Sequence, residues 1–259
     1  MIAVLADNIV TAQERRLVRD AEAVLAVAAW ADLPAGVAVL PVTRADAGGL
    51  SFGSGHLMAT AHGLPLGAVA VQVDAAGILR LSVADSIENP EVGLKVARQF
   101  IEHVAIHEAA HALVAPLDVA ASAAEAKAIV AARVAGPTNE EAACHHPRWA
   151  AALVILSRRM LDLRPAAERA VRNRIVRADI GHYGLDAAAI DAALGHVDAD
   201  APLRELLAPG GAVAARVEAA CPPVAERRAY IEHRRSHGAA GVAGSISSEE
   251  SEVQDDSCS

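Results

Sequence analysis

The residues of this chain that could do chemistry begin with His107, Glu108 and His111, which stand in the order His-Glu-Ala-Ala-His. Residues four apart in a helix lie on one face, one turn from each other, so the two imidazoles can bind the same metal ion. The carboxylate of Glu108 would then lie beside the open coordination position. This pattern favours zinc-dependent hydrolysis with Glu108 as the general base.

A third ligand is needed, because a catalytic zinc ion keeps three protein ligands and leaves one position for water. We predict His145, which stands just before Pro147 at the expected start of a helix and is far enough from His111 for a helix and a turn between them. His146 is the first alternative, since adjacent histidines usually cannot both face one ion. The remaining candidates are Glu140, Glu141 and Cys144.

His103 stands four residues before His107 and offers a second possible pair. Glu102 does not lie between these two histidines, so that pair would lack a base. We therefore expect His103 to lie beside the metal site or on the surface rather than to bind the ion. The polar residues that could stabilise an oxyanion, each expected to have a structural role instead, are Arg148, His182, Tyr183 and Tyr230.

The motif falls late in a predicted helix. Asn89 followed by Pro90 is a helix-start signal, and the periodic pattern then continues to Pro116. Just before it, two runs of branched apolar residues, 69–73 and 78–83, flank the sequence Asp-Ala-Ala-Gly, which predicts a β-hairpin. A small sheet is therefore expected directly before the helix that carries the histidines.

Apolar residues at helical spacing predict further helices over 11–33, 121–135 and 147–161, and mostly helical structure after Pro165. A short strand is predicted over 37–42. The glycine-rich segment 43–65 is predicted to be a long loop.

Composition excludes some classes of function. The net charge is -9, which argues against a nucleic-acid binder, because such proteins neutralise phosphates with Lys and Arg. Seven arginines between Arg158 and Arg177 are a local exception, which we expect to form a solvated helix face. Aromatic residues supply only 2% of the chain against 53% for all hydrophobic residues, so small aliphatic side chains must build the core.

The three cysteines, Cys144, Cys221 and Cys258, are widely separated, which fits a reducing compartment rather than a disulfide framework. The first ten residues lack the basic start of a secretory signal, and the longest apolar runs are too short to cross a bilayer. We therefore expect a cytoplasmic protein without a membrane partner.

The segment from Val104 to Val114, Val-Ala-Ile-His-Glu-Ala-Ala-His-Ala-Leu-Val, resembles the active-site helix of zincin metallopeptidases. The resemblance implies that His107 and His111 bind zinc and that Glu108 is the catalytic base. The segment 145–149, His-His-Pro-Arg-Trp, is similar to the His-Gly-x-x-aromatic pattern of SprT-like proteases, in which the histidine is the third zinc ligand. That position corresponds to His145 here, with His146 in place of the glycine.

This resemblance also implies an α+β fold, in which a small β-sheet packs on the active-site helix and a mostly α-helical C-terminal part follows. The chain then divides into a zincin-like metallopeptidase domain (1–162), a helical extension (163–237) and an acidic tail expected to be disordered (238–259). It implies Zn²⁺ as cofactor and a peptide or protein as substrate.

Two functions remain open from the sequence. The first is a zinc metallopeptidase that binds an extended peptide along the hairpin strand beside the helix. The second is a catalytically inactive, zincin-like helical interaction protein, which would keep the scaffold and bind a partner through its basic stretch or its acidic tail.

Overall fold

The computed structural model describes residues 12–32, 37–41, 59–64, 68–84, 90–115, 120, 122–135, 141–161, 164–198 and 200–237. These residues are mostly helical. In chain order their helices and strands are α1 (Ala12–Ala28), β1 (Val37–Pro41), β2 (Val69–Val73), α2 (Ala75–Ala84), α3 (Pro90–Val114), α4 (Ala123–Ala135), α5 (Glu141–Cys144), α6 (Pro147–Leu161), α7 (Ala166–His182), α8 (Ala187–Leu194), α9 (Leu203–Leu206), α10 (Ala212–Ala219) and α11 (Val224–His237).

The sheet formed by β1 and β2 confirms the α+β class in its general form. The two strands are parallel, and their register pairs Val37 with Val69 and Pro41 with Val73. β1 packs against α1, and β2 packs against α3. A small sheet therefore does lie beside the helix that carries the histidine motif, as expected.

The predicted hairpin is wrong, because residues 78–83 lie in helix α2 rather than in a strand. Asp74 starts this helix: its Oδ1 accepts the backbone N–H of Gly77 at 2.8 Å, and its carbonyl accepts the N–H of Ile78 at 3.0 Å. A Cβ on residue 77 would collide with the Asp74 carboxylate. The Asp-Ala-Ala-Gly sequence thus forms a helix cap, a role that aspartate fills as readily as a turn.

Helix α3 runs through the centre of the molecule and confirms the helix predicted from residue 90. It packs against α1, α2, β2, α6 and α7. The side chains on its inner faces are fully buried and are mostly alanines, which let the neighbouring helices approach closely; they are Ala97, Ile101, Ala105, Ile106, Ala109, Ala110 and Leu113. The two histidines of the motif therefore lie in the C-terminal half of α3, which is mostly buried.

Helix α6 is also enclosed, as its composition dictates. Nearly every residue from Trp149 to Leu161 is buried, because a helix that is apolar on all sides is stable only inside a core. One hydrophobic cluster extends from Leu17 in α1 to Val217 in α10, across the predicted boundary at residue 162. The division into domains stays a prediction.

Four of the seven arginines between Arg158 and Arg177 form ion pairs within the chain, two of them buried. The pairs are Arg158 with Asp191 (2.6 Å), Arg159 with Asp32 (2.7 Å), Arg164 with Glu102 (3.4 Å) and Arg172 with Glu102. Glu102 is itself fully buried. Much of the positive charge in this stretch is thus balanced inside the molecule.

The other predicted helices are found at 12–28, 123–135 and 147–161. Most of the predicted loop 43–65, the N-cap Asn89, the candidate ligand Glu140 and the acidic tail 238–259 lie outside the described residues. None of the described helices combines the length and the apolar character that crossing a bilayer requires.

Replacing Asp74 with Ala should lower the free energy of unfolding by about 1 kcal/mol, because the first turn of α2 loses its side-chain acceptor. Asp74→Asn keeps an acceptor at the same place and should stay within a few tenths of the wild type. Urea denaturation of both variants checks this. Equal stability of Asp74→Ala and wild type would show that the cap contributes nothing.

Candidate metal centre

Three of the predicted ligands meet at one point. His107 and His111 project from successive turns of α3, with ring centroids 5.1 Å apart. His145, between α5 and α6, places its ring centroid 5.3 Å from that of His107 and 4.7 Å from that of His111. One nitrogen from each ring lies within 4.8 Å of the other two. The structure thus brings together the residues that the sequence assigned to the metal.

The ring nitrogens that face each other are Nε2 of His107 and Nε2 of His145, 3.4 Å apart. Nδ1 of His107 is 2.7 Å from a carboxylate oxygen of Asp179, and Nδ1 of His145 is 2.9 Å from the carbonyl oxygen of Glu141. The Glu141 carbonyl can only accept and the carboxylate accepts when ionised, so in both rings Nδ1 carries the hydrogen. Each neutral ring then directs a bare lone pair at the other, which requires a cation, a proton or a metal ion, between them.

The spacing fits a metal ion. Nitrogens bound tetrahedrally to zinc at about 2.1 Å lie about 3.4 Å from each other, and the two Nε2 atoms are 3.4 Å apart. His111 completes the group from the same face of α3. The site therefore needs little rearrangement to accept an ion of this size.

Asp179, on α7, is a residue of the site that sequence reasoning missed. Its Oδ2 accepts hydrogen bonds from His107 Nδ1 (2.7 Å) and from His103 Nε2 (2.9 Å). Burial alone would raise the pKa of Asp179, but these two hydrogen bonds and the nearby histidine charges hold that pKa well below its usual range. Asp179 stands 72 residues from His107, and no local pattern marks it.

His103 lies beside the site, as expected. Together with His107 and Asp179 it forms a second group whose spacing could hold a metal ion. In this group His107 Nδ1 and His103 Nε2 lie 2.7 and 2.9 Å from the same oxygen, Oδ2 of Asp179, and both distances are those of hydrogen bonds. We assign this group to hydrogen bonds that fix the ring of His107, an arrangement typical of metal-binding histidines.

His145 is held on two sides. Its Nδ1 donates to the Glu141 carbonyl, and its ring lies flat against Tyr183 with centroids 3.5 Å apart and an interplanar angle of 6°. Burial, with the nearby charge of His107, lowers the pKa of His145 to about 3. Burial and the same charge also lower the pKa of His111 well below its ordinary value. Both rings are thus kept in the neutral form that binds metals.

Of the alternatives to His145, the three that the structure describes lie outside this group. His146 accepts the backbone N–H of Trp149 on its Nδ1 at 3.2 Å and so caps helix α6. Glu141 directs its carboxylate to Arg235 and to His182. Cys144 is half-buried and belongs to neither cluster of possible ligands found among the described residues.

Trp149 forms the inner wall of the site. It is fully buried, and its ring stacks at 22° on His111 with centroids 5.2 Å apart. The same ring meets His145 edge-on at 4.7 Å, and its Nε1 donates to the backbone carbonyl of His107 at 3.4 Å. An indole in this position excludes water from behind the histidines and strengthens the electrostatic interactions between them.

Glu108 is only 9% exposed. Its burial, with the negative charge of Asp179, raises its pKa to about 7, although the charge of His107 acts in the opposite direction. The pKa of His107 is itself raised: burial lowers it, but the hydrogen bond to Asp179 and the charges of Glu108 and Asp179 outweigh burial. A carboxylate with a pKa near 7 can accept and return a proton at neutral pH.

Of the candidates for stabilising an oxyanion, Tyr183 is the one whose ring lies among the histidines and Trp149. Arg148 instead pairs with Glu218 at 3.7 Å and donates to the carbonyl of Leu207. Tyr230 is 42% exposed. His182 is exposed as well and lies 3.7 Å from Glu141.

Comparison of the chain with protein-family models, with curated proteins and with solved structures gave no match.

Replacing Asp179 with Asn should weaken zinc binding by about 10- to 100-fold, because the ring of His107 loses the anion that orients it and raises its basicity. Asp191→Asn is the matched control, since that carboxylate is 54% exposed and pairs with Arg158. Competition with a chromophoric chelator measures both affinities. Equal zinc affinities for the two variants would show that Asp179 does not contribute to metal binding.

The metal-free protein should lose stability in mild acid through His146. Burial, with the charges of Arg148 and Arg227, lowers the pKa of His146 to about 4, whereas an unfolded histidine titrates near 6.5. Below pH 6.5 the unfolded state therefore binds a proton that the folded state does not, and the stability from this group falls as the pH falls from about 6.5 to 4.

The variant His146→Asn keeps a helix-capping side chain without a titrating ring. Measured with urea in the presence of a chelator, its loss of stability between pH 7 and pH 5 should be smaller than that of wild type by about 1 kcal/mol. His233→Asn, at an exposed position of α11, should behave like wild type. An equal loss in all three proteins would contradict the assignment.

Proposed function

We propose that this chain is a zinc-dependent metallopeptidase in which His107, His111 and His145 bind the metal ion and Glu108 is the general base. The observation that carries the proposal is the pair of partly buried Nε2 atoms, 3.4 Å apart, whose lone pairs face each other because both Nδ1 atoms are already committed as donors. A metal ion satisfies both at once, and His111 provides the third nitrogen.

Zinc is the metal that this donor set favours. Imidazole suits Zn²⁺ as well as copper, iron and nickel, and three histidines with a carboxylate beside them are typical of catalytic zinc sites with one open position. When bound, the ion would lower the pKa of a water molecule and polarise a carbonyl group.

The residues around the ion would divide the remaining work. Glu108 would take a proton from the attacking water and pass it to the leaving amine. Asp179 holds the ring of His107, and the Glu141 carbonyl holds that of His145. Trp149 keeps bulk water away from the inner side of the three rings.

Peptide bonds are the proposed substrate because the motif and its order, His-Glu-x-x-His followed by a distant third histidine, resemble those of zincin peptidases. Of the predicted hairpin on which an extended peptide was expected to pair, residues 78–83 lie in helix α2, whereas residues 69–73 form β2, which pairs with β1. Strand addition at that place is therefore not part of the proposal.

Metal analysis together with hydrolysis of an unstructured protein tests the proposal. Wild type, Glu108→Gln and His146→Ala should each bind one zinc ion, and His145→Ala should bind it weakly. Glu108→Gln should lose at least about a hundredfold in turnover while keeping the metal, since general-base catalysis contributes 10²- to 10⁴-fold.

Full hydrolytic activity of Glu108→Gln would show that this carboxylate is not the base. Bound zinc without turnover in wild type would favour the inactive interaction protein instead. A wild type that binds no divalent ion would overturn the metal site itself.

A further inference from the structure

Helix α11 is largely exposed, and two of its residues are buried. Its buried residues are Arg227, only 3% exposed, and Ile231. Burying a guanidinium is costly unless hydrogen bonds compensate for the lost water. The direction in which Arg227 donates is therefore informative.

The Nη1 atom of Arg227 donates to two carbonyl oxygens, that of Ala142 at 2.7 Å and that of His145 at 2.9 Å. These groups belong to α5 and to the residue that follows it. A four-residue helix leaves its last carbonyls without partners in a following turn. Arg227 thus provides a hydrogen-bond donor for the carbonyls at the end of α5, including that of His145, the third candidate ligand.

The same helix also contacts the other elements around His145. Arg235 pairs with the carboxylate of Glu141, and the backbone carbonyl of Glu141 accepts a hydrogen bond from His145 Nδ1. The ring of Tyr230 lies against Gly184, where a Cβ would come within 3.0 Å of it and where φ is +71°. Gly184 directly follows Tyr183, which stacks on His145. Helix α11 therefore contacts the backbone of this ligand and the residue next to its stacking partner.

We propose that Arg227 is a positioning residue for the third metal ligand: by fixing the backbone carbonyl of His145 it keeps Nε2 directed at Nε2 of His107, so that α11 determines whether the site has three ligands or two. This inference rests on the proposed binding of a metal ion by His107, His111 and His145. It adds a dependence of the site on a helix that contributes no ligand.

A buried arginine that only stabilised the fold would affect thermal unfolding and leave the geometry of the bound ion unchanged. The decisive variants are therefore Arg227→Met and Arg227→Lys, with Arg234→Met as the matched control at an exposed position of the same helix. Zinc affinity is measured by competition with a chromophoric chelator. Coordination is followed by the visible absorption of the cobalt(II)-substituted protein, which is intense for four-coordinate and weak for six-coordinate ions.

Arg227→Met should bind zinc about 10- to 100-fold more weakly, the range found when a partner that orients a metal ligand is removed. Its cobalt spectrum should lose intensity as water replaces His145. Arg227→Lys, which keeps a donor within reach of the carbonyls, should recover part of both properties, and Arg234→Met should match wild type.

A double-mutant cycle then tests the route of the effect. If Arg227 acts through His145, Arg227→Met should cause no further loss of zinc affinity in a His145→Ala background. An additional loss of the same size there, or an unchanged cobalt spectrum in Arg227→Met, would overturn the inference. If Arg227→Met does not fold, Arg227→Lys decides: wild-type affinity and spectrum for that variant would count against the role.

The failure of this inference is separable from that of the metal site. Wild type that binds zinc tightly, with Arg227 variants that bind it equally well, would overturn the positioning role alone. Wild type that binds neither zinc nor cobalt would overturn both.

Discussion

Two imidazole nitrogens, Nε2 of His107 and Nε2 of His145, approach to 3.4 Å at a partly buried site, while neither ring in its neutral form can supply a hydrogen between them. The arrangement is repulsive unless a cation lies there. The structure nevertheless imposes it from both sides, through the Asp179 carboxylate on one ring and the Glu141 carbonyl on the other. Such a geometry is satisfied by a bound metal ion, or by a proton on His107, whose pKa is raised.

The surrounding fold supplies what this constraint requires. Helix α3 packs against α1, α2, β2 and α6, and its buried alanines allow these elements to approach closely. This packing holds the backbone that carries the two histidines in place. Trp149 fills the space behind them, at the start of a helix that is itself almost entirely buried. Asp179 reaches the same place from α7 and is shared by His103 and His107. The packing therefore opposes the relaxation of either ring.

Part of this could be predicted from the sequence. The motif itself, the span of α3 and the choice of His145 depended on short-range patterns, helical periodicity and a start signal at Pro147. The span of α3 and the helix start at Pro147 are confirmed, and His145 lies with His107 and His111, while its role as a ligand stays a prediction. The hairpin prediction failed because Asp-Ala-Ala-Gly suits a helix cap as well as a turn, and because a run of six mostly branched residues does not distinguish a strand from a buried helix.

Asp179 could not be predicted from the sequence, because its contact with His107 spans 72 residues and a single aspartate on a helix has no distinguishing pattern. The position of Arg227 beside the site could not be predicted either, since its partners are backbone carbonyls, which every residue possesses.

The three histidines lie on backbone segments of unequal stability. Two of them belong to a helix of 25 residues that runs through the core, whereas the third adjoins a helix of four residues, too short to be stable by its own hydrogen bonds. Local opening takes place where the fewest interactions must be broken. The order in which an ion bound by these histidines would be released follows from this inequality: His145 would dissociate first, and the rate of release would depend on how often that single turn opens rather than on any movement of the long helix.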